Sequence, residues 1–377
     1  MISGIYIHIP FCRRGCTYCH FVTVPCETGT VRSYCRALIK EMQLYAGSCR
    51  EEIALDSVYI GGGTPSLIPA EYLAEILQAC RDSFPMEDDC EISTEANPDT
   101  IQSEKARIYR QVGINRVSVG VQSLQGRELE AIGRSHSSNT AVDSVQILKQ
   151  NGIENINLDL LIGLPSQNLD SLKGTRWSIT RLGVPHLSVY MLDLDEPCAL
   201  SDFVSQGSIS VPEDDETAEM YMHAHHWLSE FGYQQYEISN FTRGNRHCRH
   251  NLKYWTRVPV IGFGLASHSF DGICRYANTD QMKTYLSSLE SGKSPVAWRR
   301  ILNEEEMLQE KLFLGLRLNR GIQWDKLLEE YPGEWIDKYE QPLRKLDRQG
   351  LVQWKNSTVR LTTRGMLLSN EIFQLFV

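Results

Sequence analysis

The chain of 377 residues carries 47 acidic and 38 basic side chains, a formal net charge of −9. That balance argues against tracking a nucleic-acid backbone or an anionic membrane surface, both of which need a basic face. No apolar run approaches the roughly 20 residues of a transmembrane helix, and the N-terminus lacks the basic region and long apolar core of a signal peptide.

Six apolar, β-branched runs recur along the first half of the chain, with helical patterns between them. Ile5–Ile9 reads as the first strand and Val31–Tyr45 as a helix, followed by a strand over Ser57–Gly61 and a helix over Pro69–Ser83. Glu91–Glu95, Arg116–Gln122, Ile156–Ile162 and His186–Leu192 complete the strands, separated by helices over Ser103–Val112, Asn139–Gln150 and Asn168–Leu182. Alternation of this kind implies parallel pairing with right-handed crossovers. Six βα units are two fewer than a closed eight-fold barrel holds. The predicted fold is therefore α/β, a partial (βα)6 TIM-type barrel, over residues 1–200. An extension over 201–300 follows. From 301 to 377 the pattern changes to helices (Glu304–Leu318, Trp324–Tyr331, Tyr339–Gln349), a two-stranded wing near Val352 and Val359, and a last helix from Thr363. This predicts a small winged-helix-like α+β domain. Residues 304–377 hold 12 acidic and 11 basic side chains, so this domain reads as a packing or docking unit rather than a DNA reader.

The most informative residues are Cys12, Cys16 and Cys19, spaced Cys-x-x-x-Cys-x-x-Cys directly after the first strand. Three thiolates this close can hold three irons of a 4Fe–4S cubane and leave the fourth iron open to a small chelating molecule. A zinc site or buried thiols are the alternatives, although zinc favours four ligands in paired short spacings and no second Cys-x-x-Cys is present. A thiolate-held cluster needs a reducing compartment, which predicts a cytoplasmic protein.

Other chemistry-bearing residues fall just after the strands, where parallel βα folds bind ligands. The glycines of Gly61-Gly62-Gly63-Thr64-Pro65 allow close backbone approach to a ligand, or simply a tight loop. Glu95, before Asn97-Pro98, can accept from ribose hydroxyls. Gln122, Arg134 and Asp159 follow. Asp159 lies inside an apolar run and needs a partner, either a cation such as Arg134 or a ligand hydroxyl. Further on, His247-Cys-Arg-His250-Asn-Leu-Lys-Tyr254-Trp255 offers two imidazoles, a thiol and two aromatics. These are potential haem ligands and stacking surfaces, or a loop packed into a core. His223, His225 and His226 form another cluster on a predicted helix face.

These strings resemble the coproporphyrinogen dehydrogenase-like branch of the radical S-adenosylmethionine (SAM) superfamily, and within it the HemW-type haem chaperones. The resemblance covers almost the whole chain, from Tyr6-x-His-Ile-Pro-Phe-Cys12 to Leu361-Thr-x-x-Gly365-x-x-Leu-Ser-Asn370. It implies a 4Fe–4S cluster on Cys12, Cys16 and Cys19, with SAM held by Tyr6, Gly62, Gly63, Thr64 and Glu95. Gln122, Arg134 and Asp159 match positions that hold a second SAM in the dehydrogenase. The dehydrogenase has a further cysteine where this chain has Phe21, and His250-Asn-Leu-Lys-Tyr-Trp255 matches the HNxxYW string tied to haem binding, with His250 as the implied ligand. The implied function is a haem chaperone that passes haem to an acceptor protein such as a membrane cytochrome, with an electron donor as a further partner. The competing reading is an enzyme that cleaves SAM, acting on a porphyrin or as a related methylase.

Overall fold

The computed structural model describes residues 1–376. Strand β1 (Ile2–Ile9) leads into a short parallel pair, β2 (Phe11–Cys12) and β3 (Val24–Pro25), and then helix α1 (Thr28–Ser48). The βα alternation continues through β4 (Ile53–Gly62), α2 (Ala70–Ser83), β5 (Met86–Ala96), α3 (Ser103–Gln111) and β6 (Arg116–Gln122). After α4 (Gly126–Ala131) and α5 (Ser138–Gln150) come β7 (Asn155–Ile162), α6 (Leu169–Leu182) and β8 (His186–Met191). Every predicted strand and helix of this part is present. Local chemistry explains the boundaries: Asn168 accepts from the Asp170 and Ser171 amides to start α6, and Gly183, at φ 58°, ends it.

The sheet is larger than the six predicted strands. After α7 (Ala199–Ser205) and α8 (Asp214–Glu230), strands β9 (Gln234–Gln235) and β10 (Asn240–Thr242) add antiparallel to the β8 edge. Helix α9 (Arg249–Trp255) precedes β11 (Val260–Phe263), which pairs parallel with β1 on the edge away from β4. Strands β12 (His268–Phe270), β13 (Cys274–Asn278) and, after α10 (Met282–Glu290), β14 (Val296–Ile301) extend that edge antiparallel. The order β14-β13-β12-β11-β1-β4-β5-β6-β7-β8-β10-β9 makes one 12-stranded sheet, open at both ends. Residues 201–300 thus add strands to both edges, and one apolar core runs from Ile2 to Leu289.

A second core holds the C-terminal unit. It comprises α11 (Glu304–Leu316), β15 (Ile322–Gln323), α12 (Trp324–Glu330), α13 (Gly333–Arg348), β16 (Val352–Lys355), β17 (Thr358–Leu361), α14 (Thr363–Leu367) and α15 (Ser369–Phe373). The predicted two-stranded wing gains β15 as a third strand. Helix α13 begins six residues before the predicted Tyr339, since its first turn follows Pro332, which is compatible with a helix start. Among the described residues no helix is long and apolar enough to cross a membrane.

Period-two alternation decides what faces the inside of the curved sheet. Ile5, Ile7 and Ile9 of β1 are buried in the apolar core. Tyr6 and His8, and likewise Tyr59, Glu95, Ser118 and Asp159 on the neighbouring strands, carry the polar and aromatic groups of the opposite face.

Candidate functional site

At the C-terminal ends of the strands a cavity of about 410 Å³ brings together residues far apart in sequence. Cys12, Cys16 and Cys19 line it with Gly62, Gly63 and Thr64, and so do Glu95, Gln122, Arg134 and Asp159. Of the residues the sequence assigned to cofactors, Tyr6 and His250 lie outside this lining. All three cysteines are free thiols, and burial pushes the Cys12 and Cys19 thiols up from their usual range. Thr64 Oγ1 lies 3.6 Å from Cys12 Sγ, and Arg134 Nη1 donates to Cys16 Sγ at 3.5 Å. Phe21, at 68% exposure, forms part of the rim.

The glycine loop has a steric reason. A Cβ on Gly62, whose φ is 117°, would lie 2.6 Å from the His8 ring, and one on Gly63 would lie 2.8 Å from the Pro10 carbonyl. The loop therefore sits directly against the backbone that leads to Cys12.

Glu95 is held from two sides. Tyr59 donates its hydroxyl to Oε1 at 2.9 Å, and the Gly62 amide donates to Oε2 at 3.1 Å. Burial, with the neighbouring Asp159 carboxylate adding to it, nevertheless raises the Glu95 carboxyl to about 7. Asp159 is likewise pushed up by burial. Of the two partners considered for Asp159, Arg134 does not pair with it: Ser118 Oγ at 2.9 Å and Asn157 Nδ2 at 2.8 Å donate to the carboxylate. Arg134 turns to the Gly120 carbonyl and Cys16, and its Nε is buried without a partner. Two half-buried carboxylates and a guanidinium beside the thiols suit a ligand with cationic and anionic ends.

The second cluster folds differently from an open metal site. Residues 249–255 form α9, which packs against β4. His250 is 1% exposed, with Nδ1 3.1 Å from Ser57 Oγ and Nε2 2.9 Å from the Tyr254 hydroxyl. Burial drops its pKa to about 3, so the ring is neutral and both nitrogens are engaged. It stacks on Tyr59 at 5.3 Å and 25°, and Tyr6 stacks on the same ring at 6.3 Å. Tyr6 therefore belongs to the layer beneath the ligand cavity, its hydroxyl 3.0 Å from His8 Nδ1. In this conformation His250 has no nitrogen free for iron. His247 lies edge-on to Tyr236 at 4.5 Å, and Cys248, facing Glu91, is pushed by burial up to about 12. His223, His225 and His226 lie on α8 as expected. There His226 pairs with Glu230 at 3.3 Å and His225 lies edge-on to Phe241.

Sequence reasoning missed Tyr59, which links His250 to Glu95. Its signal was available: Tyr59 lies two positions before Gly61 on the same strand, and hence on the same face.

Residues 6–176 match the Radical SAM superfamily, and residues 302–368 match the HemN C-terminal domain. The chain is 34% identical to the heme chaperone HemW of Bacillus subtilis, over 100% of this chain and 99% of that protein. It is also 34% identical to heme chaperone HemW of Mycobacterium tuberculosis, covering 98% and 93% of the two chains. The mitochondrial radical S-adenosyl methionine domain-containing protein 1 of Bos taurus is 29% identical, over 98% of this chain and 86% of that one. Among solved structures, coproporphyrinogen III oxidase (HemN) from Escherichia coli superposes with a TM-score of 0.86. It covers 100% of this chain and 90% of its own, at 21% identity, a likeness of fold.

Proposed function

Because the chain belongs to the HemW family within the radical SAM superfamily, we propose that it binds haem and delivers it to an acceptor protein, carrying a SAM-coordinated 4Fe–4S cluster as its resident cofactor. The observation that carries this reading is the cavity in which three free thiols, a glycine loop and two half-buried carboxylates converge at the strand ends.

The residues fit the cofactors. A cubane takes one thiolate per iron, so its three cysteines need not be drawn together as ligands of one ion. Indeed, among the described residues no group of three or more His, Cys, Asp or Glu side chains is gathered to hold a single ion. The Arg134 guanidinium at Cys16 offsets the negative charge of thiolates. Gly62 and Gly63 let the backbone approach the amino group of SAM, and Glu95 accepts from its ribose. Gln122 and Asp159 line the same cavity and would supply further polar contacts to bound SAM. When bound, the cluster supplies a redox-active iron site. The chain's own residues orient SAM on it and keep Glu95 in place.

Haem is the cargo in this reading. His250 can reach iron only if it gives up one of its two hydrogen bonds, since Ser57 and Tyr254 hold both its nitrogens. A second reading, reductive SAM cleavage on a bound substrate, is favoured by the intact pair Glu95 and Asp159 beside Arg134. Anaerobic reconstitution followed by hemin titration and a 5′-deoxyadenosine assay separates the two. Saturable Soret binding and transfer to an apo-acceptor support the chaperone, and turnover of SAM without haem binding would replace it with the enzyme.

A further inference from the structure

A cavity of about 390 Å³ lies where the end of α9 meets the C-terminal unit, and it shares no lining residue with the strand-end cavity. Four cations line it (Arg257, Lys311, Arg320 and Lys326) against one acid, Glu330, in a chain whose net charge is −9. Two of the four are already matched: Arg257 pairs with Glu310 at 2.9 Å, and Lys311 with Glu330. Arg320 and Lys326 have no ion pair or side-chain hydrogen bond among the described residues, although both line the cavity. Buried N–H groups without an acceptor occur at Trp255 Nε1 and, although its Nε pairs with Glu310, at Arg257 Nη2. Arg257 also sits at φ 55°, a left-handed conformation uncommon for a non-glycine residue. The buried N–H groups of Trp255 and Arg257 call for an acceptor, and the exposed, unpaired Arg320 and Lys326 on the same cavity add positive charge. That combination of donors and positive charge suits an anion. Leu318, Ile322 and Leu327 add apolar lining.

We propose that this cavity is an anion site that takes the carboxylates of haem, with the edge of the macrocycle against the apolar lining. The assignment rests on the haem-chaperone reading above and deepens it by giving the cargo a carboxylate-binding end. Arg320 and Lys326 provide the charge, and the Trp255 indole N–H provides a donor close by. Planar recognition of a carboxylate suits the guanidinium fork of Arg320. Inorganic phosphate shares the anionic chemistry, and the test must separate the two.

The full-length protein and an Arg320→Ala/Lys326→Ala variant are titrated with hemin, followed at the Soret band. The parent is also titrated with hemin dimethyl ester, in which both carboxylates are masked. Melting temperatures with and without inorganic phosphate are measured for both proteins. The expected result is at least a tenfold weaker hemin affinity in the variant. The parent should disfavour the ester by a similar factor, and the variant should treat hemin and ester alike. Equal hemin affinity in parent and variant, with the parent still binding hemin, overturns the site and leaves the chaperone reading standing. Equal hemin affinity combined with phosphate protection of the parent alone makes the cavity a phosphate site and also overturns the haem assignment. A parent that binds no hemin removes both readings together.

Discussion

Removing one hydroxyl, by Tyr59→Phe, should move the pH dependence of SAM binding without disturbing the cluster. Tyr59 donates to Glu95 Oε1 at 2.9 Å, and burial holds the Glu95 carboxyl at about 7. SAM brings a net positive charge and ribose hydroxyls that donate to a carboxylate, so binding favours ionised Glu95. Affinity should therefore rise with pH through that midpoint, by about tenfold between pH 6 and pH 8 for one linked proton. A hydrogen bond to a charged acceptor contributes about 1.5–3 kcal/mol, and each pH unit corresponds to about 1.4 kcal/mol. Loss of the hydroxyl should thus lift the midpoint from about 7 to about 8 or 9. At pH 7 the variant should bind SAM about tenfold more weakly than the parent, and the gap should close at high pH. The Phe ring keeps the stack on His250, so the fold loses little. Isothermal titration of the anaerobically reconstituted protein across pH 6–9 reads both midpoints. An identical midpoint in parent and variant would refute the link between Tyr59 and Glu95.

Four further outcomes can be checked. Replacing Cys12, Cys16 and Cys19 together by Ala should abolish the brown absorbance and about four irons per chain, whereas Cys26→Ala with Cys35→Ala should leave iron content intact, as measured by iron and sulfide analysis. Gly63→Val places a side chain against the Pro10 carbonyl, where even a Cβ would lie at 2.8 Å; SAM should then no longer alter the EPR signal of the reduced cluster. Glu41 accepts from Gly264 N at 2.9 Å and Asn278 Nδ2 at 2.6 Å, yet burial raises it to about 7. Its folded state binds the proton more tightly than the unfolded chain, so stability is lost as pH rises from about 4.5 through about 7. That loss is at most about 3 kcal/mol, and Glu41→Gln should flatten this part of the melting-temperature profile. His250→Ala removes a buried ring and strands Ser57 and Tyr254, costing about 2–4 kcal/mol by chemical denaturation; unchanged hemin affinity on the folded variant would exclude His250 as an iron ligand.

Local sequence was enough for the parts of the site that chemistry fixes within a few residues. The cysteine spacing, the glycine run and the acid at Glu95 each end a strand, and a parallel βα fold collects strand ends on one face whatever the loops do. The six core strands were equally legible, because long apolar β-branched runs between amphipathic helices allow little else. The edges were not. Strand β14 is exposed along its whole length and β12 is three residues long, so neither carries a hydrophobic period to read. They form because β11 pairs with β1, a contact made across some 250 residues of chain. The same distance separates motif from role at His250. Nothing near it in sequence shows that Ser57 and Tyr59 lie on its ring, since both come from β4. Tyr6 differs from its expected place by one layer: its strand and face follow from alternation, but its depth depends on how the neighbouring strands stagger. Asp159 needed a partner by the cost of burying charge, which sequence could state. That the partners are Ser118 and Asn157 rather than Arg134 was decided by packing between β6 and β7, because only the assembled sheet brings those side chains to hydrogen-bonding distance.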